Sequence, residues 1–226
     1  MLAEKYRAAG VKRVEVIGNY LAPDVPRPRH RHEGVVIGWV AGGEHYADVA
    51  RIRIVDALNR LIAKHPHVRV ECIGVDLRLS GRYRHDPEVA FHDLPGRIGG
   101  FDVGIAPVAD IPCNRARSDI KVKEYAASGV PWLASPVGPY AGLGEKQGGR
   151  LVPDDAWFEA LDRLVDGARD REQLGRNGAA WARGQTMDAV ADRWEQVYAE
   201  VAGKPAGPRV VVRPGVKVRL RPQVRG

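Results

Sequence analysis

The sequence predicts an α/β protein whose single main domain is a doubly wound parallel sheet. Short, continuous apolar runs recur along the middle of the chain, as expected for strands that are covered on both faces. Segments with helical apolar spacing lie between these runs, and the connections are short. Glycine or proline ends most of the runs. This alternation is typical of parallel sheets with crossover helices.

The first strand of the main domain is expected at Val35–Ala41, and Gly42-Gly43 ends it. Residues 1–33 precede it as a strand-like run, Val14–Ile17, followed by a linker. The following elements are expected in order: helix Asp48–Lys64, strand Val68–Ile73, strand Phe101–Ala106, helix Ser118–Ser128 with Gly129 as its C-terminal cap, strand Val130–Ala134, strand Gly149–Val152, and helices Asp155–Val165, Arg171–Gly184 and Met187–Val201. The main domain is therefore expected to span residues 34–202.

The net charge of +7 lies entirely in a C-terminal tail, residues 203–226, which is rich in Pro, Arg and Val and holds seven basic and no acidic residues. The first 202 residues are neutral overall, so the predicted domain has no general affinity for polyanions. A solvated tail is the favoured interpretation, because blocks of like charge are usually disordered. The alternative is contact with an anionic surface.

The composition also predicts where the protein works. No apolar run approaches the roughly 20 residues of a membrane span, and the first residues lack the apolar stretch of a secretory signal. Cys72 and Cys113 form neither a disulfide framework nor a zinc pattern, and Cys72 is expected to be buried in a strand and unreactive. We expect a cytoplasmic protein, with a peripheral position at the inner face of the membrane if the tail binds lipid.

The segment around the helix Ser118–Ser128 carries two polar stripes. Arg117, Lys121 and Glu124 fall on one face, and Asp119 and Lys123 fall on roughly the opposite face. A helix that lies on a sheet needs one solvent face, so one stripe is expected to face a polar ligand. With Ser118 as N-cap, the free amides of the helix start would favour phosphate, and Arg117 and Lys121 would add cations one turn apart. The alternative is an ordinary surface pair of Lys121 with Glu124, and spacing alone does not decide between them.

A longer pattern resembles the donor-site signature of the GT-B glycosyltransferases, and more narrowly of the retaining family 4. The pattern reads Arg117-Ser118-x-x-Lys121-x-x-Glu124-Tyr125-Ala126-Ala127-x-Gly129-Val130-Pro131, followed by Leu133-Ala134-Ser135. The resemblance covers about residues 14–200, and it implies the C-terminal, nucleotide-sugar-binding half of that Rossmann-like fold. It also implies that the donor lies between Gly42-Gly43 and the helix that carries Glu124, with Glu124 on the ribose and Arg117 and Lys121 on the diphosphate.

Two departures limit what the resemblance implies. The earlier of the family's two motif glutamates would fall at Ala116, and the combination of Asn114, Arg117, Ser118 and Lys121 takes its place. The residue that contacts the transferred sugar is therefore unassigned, and Arg117 and Lys121 are expected to act as leaving-group stabilisers. The resemblance covers only the donor-binding half of such enzymes, so we expect the acceptor half to be missing from this chain. A homodimer or a separate acceptor-domain protein would supply it for a sugar, lipid-linked sugar or small-molecule acceptor. The alternative function is a non-catalytic nucleotide-sugar-binding or regulatory module.

The remaining candidates follow the expected first and later strands. His45 is a candidate contact to the donor phosphate or sugar, and Asp48 is expected to cap the next helix. The loop Gly138–Gly142 either approaches the donor phosphates or forms a structural turn. No carboxylate pair or DxD motif is present, so we expect neither a cofactor nor an obligatory metal.

Overall fold

The structure is a computed structural model that describes residues 2–25 and 27–203. Its centre is a six-stranded, all-parallel sheet with the order β3-β2-β1-β4-β5-β6. The strands are β1 Val35–Ala41, β2 Val68–Gly74, β3 Tyr83–Asp86, β4 Val103–Ala106, β5 Trp132–Ala134 and β6 Gly149–Leu151. This order confirms the predicted doubly wound sheet. The direction in which successive strands are added to the sheet reverses between β1 and β4. Ligands of such sheets bind at this reversal, beyond the carboxyl ends of the strands.

The helices of the described residues precede, connect and follow the strands along the chain. They are α1 Leu2–Ala8, α2 Tyr46–Val49, α3 Ile54–Lys64, α4 Leu94–Ile98, α5 Pro112–Arg115, α6 Ile120–Ala127, α7 Trp157–Asp166, α8 Ala168–Ala182 and α9 Ala191–Val201. Single 3₁₀ turns lie at Gly43–His45, Gly138–Tyr140, Glu145–Gln147 and Met187–Ala189. The described residues fall into two compact units, one that contains the sheet and ends at Ala189 and one that begins at Val190 and contains α9. Within α9, Trp194 stacks on Tyr198 with ring centroids 5.5 Å apart.

Two apolar cores lie on the two faces of the sheet, and β1 contributes to both. Its odd-numbered residues, including Trp39, pack against α3 and α7, whereas Val36 and Val40 join the core under α4 and α6. This is the alternation of side chains along a strand, and it explains why the whole run is apolar. Gly38 interrupts the run because the ring of Phe101 occupies the space that a Cβ there would need.

Helix α6 ends as predicted. Gly129 adopts a φ of +65°, its amide donates to the Ala126 carbonyl at 2.9 Å, and the Val130 amide donates to the Tyr125 carbonyl at 2.9 Å. This pair of bonds is a Schellman motif, which requires a left-handed residue and therefore favours glycine. The motif fixes where the chain leaves α6 for β5.

Three sequence expectations about secondary structure are wrong. Val14–Ile17 is no strand, because it is largely exposed and pairs with no strand among the described residues. The helix expected at Asp48–Lys64 is split into α2 and α3, since Arg53 has a φ of +25° that interrupts helical geometry. The last expected helix, Met187–Val201, is a 3₁₀ turn followed by α9.

The edge strand β3 was not expected, because its residues are mostly polar. The tail lies outside the described residues except for Gly203.

Candidate functional site

The loops that follow β1 and β4 meet at the carboxyl edge of the sheet, and Asp48 joins them. One oxygen of its carboxylate, Oδ1, accepts hydrogen bonds from the backbone amide of Ala109 at 3.0 Å and from Nδ2 of Asn114 at 2.6 Å. Asp48 and Asn114 are each only 1% exposed. The expectation that Asp48 caps the next helix is wrong, since it lies within α2 and its side chain points to these partners. The two loops are therefore fixed to each other at the point where the strand order reverses.

Asn114 extends this network to the surface. Its Oδ1 accepts a hydrogen bond from Nε of Arg117 at 2.7 Å, and Nη1 of Arg117 lies 3.2 Å from Oε1 of Glu44. The Arg117 side chain is 28% exposed, so its guanidinium lies at the rim while its Nε is held from below. A fixed guanidinium with donors left over suits a phosphate oxygen.

His45 is buried beside the same carboxylate. Its Nδ1 lies 2.8 Å from Oδ2 of Asp48, and its ring is 5.7 Å from that of Trp39. Because a carboxylate only accepts hydrogen bonds, Nδ1 carries the proton and Nε2 is left as an acceptor in the neutral ring. Burial lowers the pKa of His45, and the hydrogen bond to Asp48 opposes this only in part. His45 is thus a neutral side chain near pH 7 and supplies no permanent positive charge.

The glycine pair after β1 leaves room for an acidic side chain. The Glu44 carboxylate lies against Gly42, in the space that a Cβ there would occupy. A hydrogen bond from its own backbone amide is the largest influence that lowers the pKa of Glu44, and Arg117 lowers it further. The structure therefore gives Gly42 a packing reason to be glycine, and donor contact by Gly42 and Gly43 stays a prediction.

The start of α6 differs from the expectation. Ser118 does not cap the helix: the N-cap residue is Asp119, without a capping hydrogen bond from its side chain, and Oγ of Ser118 accepts from Nδ2 of Asn19 at 3.0 Å. Lys123, only 3% exposed, donates to the carbonyl of Asn19 at 2.8 Å and lies 4.3 Å from the Tyr20 ring centroid. Its ammonium also pairs with Asp119 at 3.0 Å. The N-terminal segment thus covers the Asp119–Lys123 stripe, which explains why that stripe needs no ligand.

The other stripe contains Lys121 and Glu124, both on α6. Nζ of Lys121 lies 3.6 Å from Oε2 of Glu124, so the pair that spacing left open is formed. Glu124 is 14% exposed in its side chain, and its Oε2 is buried without a hydrogen bond among the residues described. Arg117 and Lys121, the two expected diphosphate ligands, therefore each face one carboxylate, Glu44 and Glu124.

The loop Gly138–Tyr140 packs directly on the network. A Cβ at Gly138, whose φ is +57°, would lie 2.6 Å from the carbonyl oxygen of Asn114. Tyr140 is 4% exposed, and burial raises its pKa. These contacts support the structural-turn interpretation of this loop.

A cavity of 730 Å³ lies between the N-terminal segment and the loop before α6. Apolar residues such as Tyr6 and Val16 line one side, and Arg117 and Ser118 line the other. Arg117 therefore borders a second space besides the crevice at β1 and β4.

Among the residues that the structure describes, one cluster has side chains that could ligate a metal ion: His65, Asp162 and Asp166, at the end of α3 and on α7. Nε2 of His65 lies 2.7 Å from Oδ1 of Asp162, and Nζ of Lys64 lies 2.7 Å from the same oxygen. Lys64 already neutralises this carboxylate, and α3 ends at the amino edge of the sheet, opposite the crevice.

Cys72 is buried as expected, and burial raises the pKa of its thiol to about 12. No described helix is long and apolar enough to cross a membrane.

The fold is that of the GT-B glycosyltransferases, as shown by comparison with solved structures. Sucrose-phosphate synthase from Thermosynechococcus elongatus superposes with a TM-score of 0.69 at 17% identity, over 88% of this chain and 56% of that one. HepE from Anabaena in complex with UDP-glucose gives a TM-score of 0.57 at 15% identity, over 75% of this chain and 49% of that one.

The isolated C-terminal domain of a group 1 glycosyl transferase from Francisella tularensis gives a TM-score of 0.55 at 14% identity, over 77% of this chain and 98% of that domain. The chain thus spans about half the length of the first two structures and nearly all of the isolated domain. No protein-family model matches the sequence, and no curated protein matches it.

Proposed function

We propose that this chain binds a nucleoside-diphosphate sugar at the carboxyl edge of the sheet and acts as the donor half of a retaining, family 4-like glycosyltransferase. The observation that carries the proposal is the buried chain from Asp48 through Asn114 to Arg117, which holds a guanidinium at the rim of the crevice. HepE, which shares the fold, was determined with UDP-glucose. This supports the same class of donor here.

The proposed mechanism is electrostatic. Arg117 and Lys121 turn from Glu44 and Glu124 toward the diphosphate and stabilise its negative charge as the bond to the sugar breaks. The acceptor hydroxyl oxygen bonds to the anomeric carbon as the nucleoside diphosphate departs, and the hydroxyl proton passes to an oxygen of that leaving group. Glu124 accepts a hydrogen bond from a ribose hydroxyl of the nucleotide-sugar. Nε2 of neutral His45 accepts another hydrogen bond from the nucleotide-sugar. Asn114 positions Arg117.

A second candidate is a module that binds the donor without transferring its sugar. Ala116 stands where the family that this chain resembles carries the earlier of its two motif glutamates, and this departure favours the alternative. A homodimer, or a separate protein with the acceptor site, would then complete the enzyme. A solvated tail is the favoured interpretation of residues 203–226, and contact with an anionic surface is its alternative. That alternative predicts that deletion of the tail abolishes retention on anionic vesicles at low salt, and unchanged retention would contradict it.

Calorimetry with UDP, GDP and ADP tests the donor site. We expect one of the three to bind, and Arg117→Gln to weaken its binding by about 10-fold or more. The matched control is Arg115→Gln, because Arg115 is two residues away and pairs with Asp110 on the surface. Absence of binding to all three, or equal effects of the two variants, would contradict the proposal.

Turnover separates the two candidates. Release of nucleoside diphosphate from the corresponding nucleotide-sugar, with transfer to an acceptor, supports the enzyme. Binding without release supports the module. For an active enzyme, the anomeric configuration of the product, read by NMR, tests retention.

A further inference from the structure

Two buried atoms, one of a cationic group and one of an anionic group, lack a hydrogen-bond partner among the described residues. They are Nη1 of Arg27, in the linker before β1, and Oε2 of Glu124. Among the ion pairs of the described residues, the cation closest to Oε2 of Glu124 is Nζ of Lys121, at 3.6 Å. Unbonded buried polar atoms are rare in folded proteins, so a pair of them calls for a physical explanation.

The linker that carries Arg27 is held in place. The carbonyl oxygen of Pro28 lies against Gly99, at the end of α4, and a Cβ on Gly99 would overlap that oxygen. The His30 amide also donates a hydrogen bond to the Gly99 carbonyl at 3.0 Å. Helix α4 in turn packs against α6. Burial lowers the pKa of Arg27, and the charge of Glu124 opposes this lowering, as expected if the two groups are close.

A hydroxyl group satisfies both atoms at once. It donates its proton to the carboxylate oxygen and accepts a hydrogen bond from the guanidinium. Neither a second carboxylate nor an ammonium can do both, since the first only accepts and the second only donates. A guanidinium and a carboxylate that are both incompletely bonded therefore select a neutral, hydroxyl-bearing ligand.

We propose that Arg27 is a binding residue for the ribose of the donor and that, together with Glu124, it makes the site select ribonucleotides over deoxyribonucleotides. This inference rests on the proposed function, since it identifies the occupant of that same site. It adds the linker before β1 to the donor site. Loss of Arg27 should then affect binding only when the ribose hydroxyl is present.

The test is calorimetry with the tightest-binding of UDP, GDP and ADP and with its 2′-deoxy and 3′-deoxy counterparts. The wild-type protein should bind the ribonucleotide about 10- to 100-fold more tightly than at least one deoxy form, as expected for a hydrogen bond to a charged group. Arg27→Met should weaken binding of the ribonucleotide by a similar factor and leave binding of that deoxy form unchanged. Arg31→Met is the control, because Arg31 is an exposed arginine of the same linker.

Each outcome decides the matter. Equal binding of the ribo and deoxy forms to the wild-type protein overturns the inference and would mean that water alone fills the gap. Equal weakening of both forms by Arg27→Met also overturns it and leaves Arg27 as a structural or general electrostatic group. If Arg27→Met does not fold, Arg27→Lys, whose ammonium lacks the fork of the guanidinium, must weaken binding of the ribonucleotide and leave binding of the deoxy form unchanged. If no nucleoside diphosphate binds the wild-type protein, the proposed function itself fails, and the inference fails with it.

Discussion

The carboxylate of Asp48 and the side-chain amide of Asn114 lie 2.6 Å apart, and this hydrogen bond joins the loop after β1 to the loop after β4. Both residues are buried. A buried carboxylate is stable only when its oxygens are bonded, and Asp48 bonds to the Ala109 amide, to Asn114 and to His45. The bond therefore fixes the geometry of the crevice, and Arg117 depends on it through Asn114.

Replacing Asp48 tests this role. Asp48→Ala leaves three buried donors without an acceptor and should lower the free energy of unfolding by about 2–4 kcal/mol. Urea unfolding measures the change. Asp56→Ala is the control, because Asp56 is exposed in a surface pair with Arg53, and it should change stability by less than about 0.5 kcal/mol. Equal decreases in the free energy of unfolding for Asp48→Ala and Asp56→Ala would show that the hydrogen bonds of Asp48 stabilise the fold no more than a surface ion pair does.

His45 predicts a pH dependence of stability. Its pKa in the folded protein is lowered, so the unfolded chain binds a proton more readily. The stabilisation from neutral His45 is present above the unfolded pKa of about 6.5 and is lost as the pH falls through the folded value. The difference in unfolding free energy between the wild type and His45→Asn should therefore be smaller at about pH 5.5 than at about pH 7.5. His92→Asn, at an exposed histidine, should show no such change. A constant difference across this range would contradict burial as the cause.

The sheet was predictable because local patterns determine it. The apolar run Val35–Ala41 feeds both cores, and Gly129 is required by the left-handed end of α6. β3 escaped prediction because Tyr83 is the one apolar residue in its four, and an edge strand needs no apolar alternation. Backbone pairing with β2 forms this strand.

The site was predictable only in part, because its contacts are distant in sequence. Ser118 has the residue type of an N-cap, but the side chain of Asn19 occupies its hydroxyl. Asp48 has the position of a cap, but the amides of the loop after β4 bond its carboxylate. No local pattern shows partners that lie 61 to 99 residues away. The Lys121–Glu124 pair, by contrast, is one helical turn apart and was visible in the sequence.

Lys123 is expected to hold the N-terminal segment on α6. Lys123→Met removes its hydrogen bond to the Asn19 carbonyl and its pair with Asp119, and it should lower the free energy of unfolding by about 1–3 kcal/mol. Hydrogen exchange of the amides in residues 14–20 should become faster, while exchange in β1 stays slow. Lys146→Met, at an exposed lysine, serves as the control. Unchanged exchange in residues 14–20 would show that other contacts hold this segment.

Glu44 is expected to compete with the donor for Arg117. Its carboxylate lies 3.2 Å from the guanidinium that we propose as the ligand of a phosphate oxygen, and the Glu44 side chain is 55% exposed. Glu44→Gln removes a like charge from the diphosphate and releases Arg117. Because exposed ion pairs are weak, the gain in nucleoside-diphosphate affinity should be modest, about 2- to 5-fold, and it should shrink at high salt.

Two comparisons make this test specific. Glu88→Gln changes the net charge equally at an exposed residue and should leave affinity unchanged, which separates competition at Arg117 from a general charge effect. In the background of Arg117→Gln, Glu44→Gln should lose most of its effect, because residues that share one contact are energetically coupled. Weaker binding of a nucleotide-sugar by Glu44→Gln, with unchanged binding of the nucleoside diphosphate, would contradict competition. It would assign the Glu44 carboxylate to the hydroxyls of the transferred sugar instead.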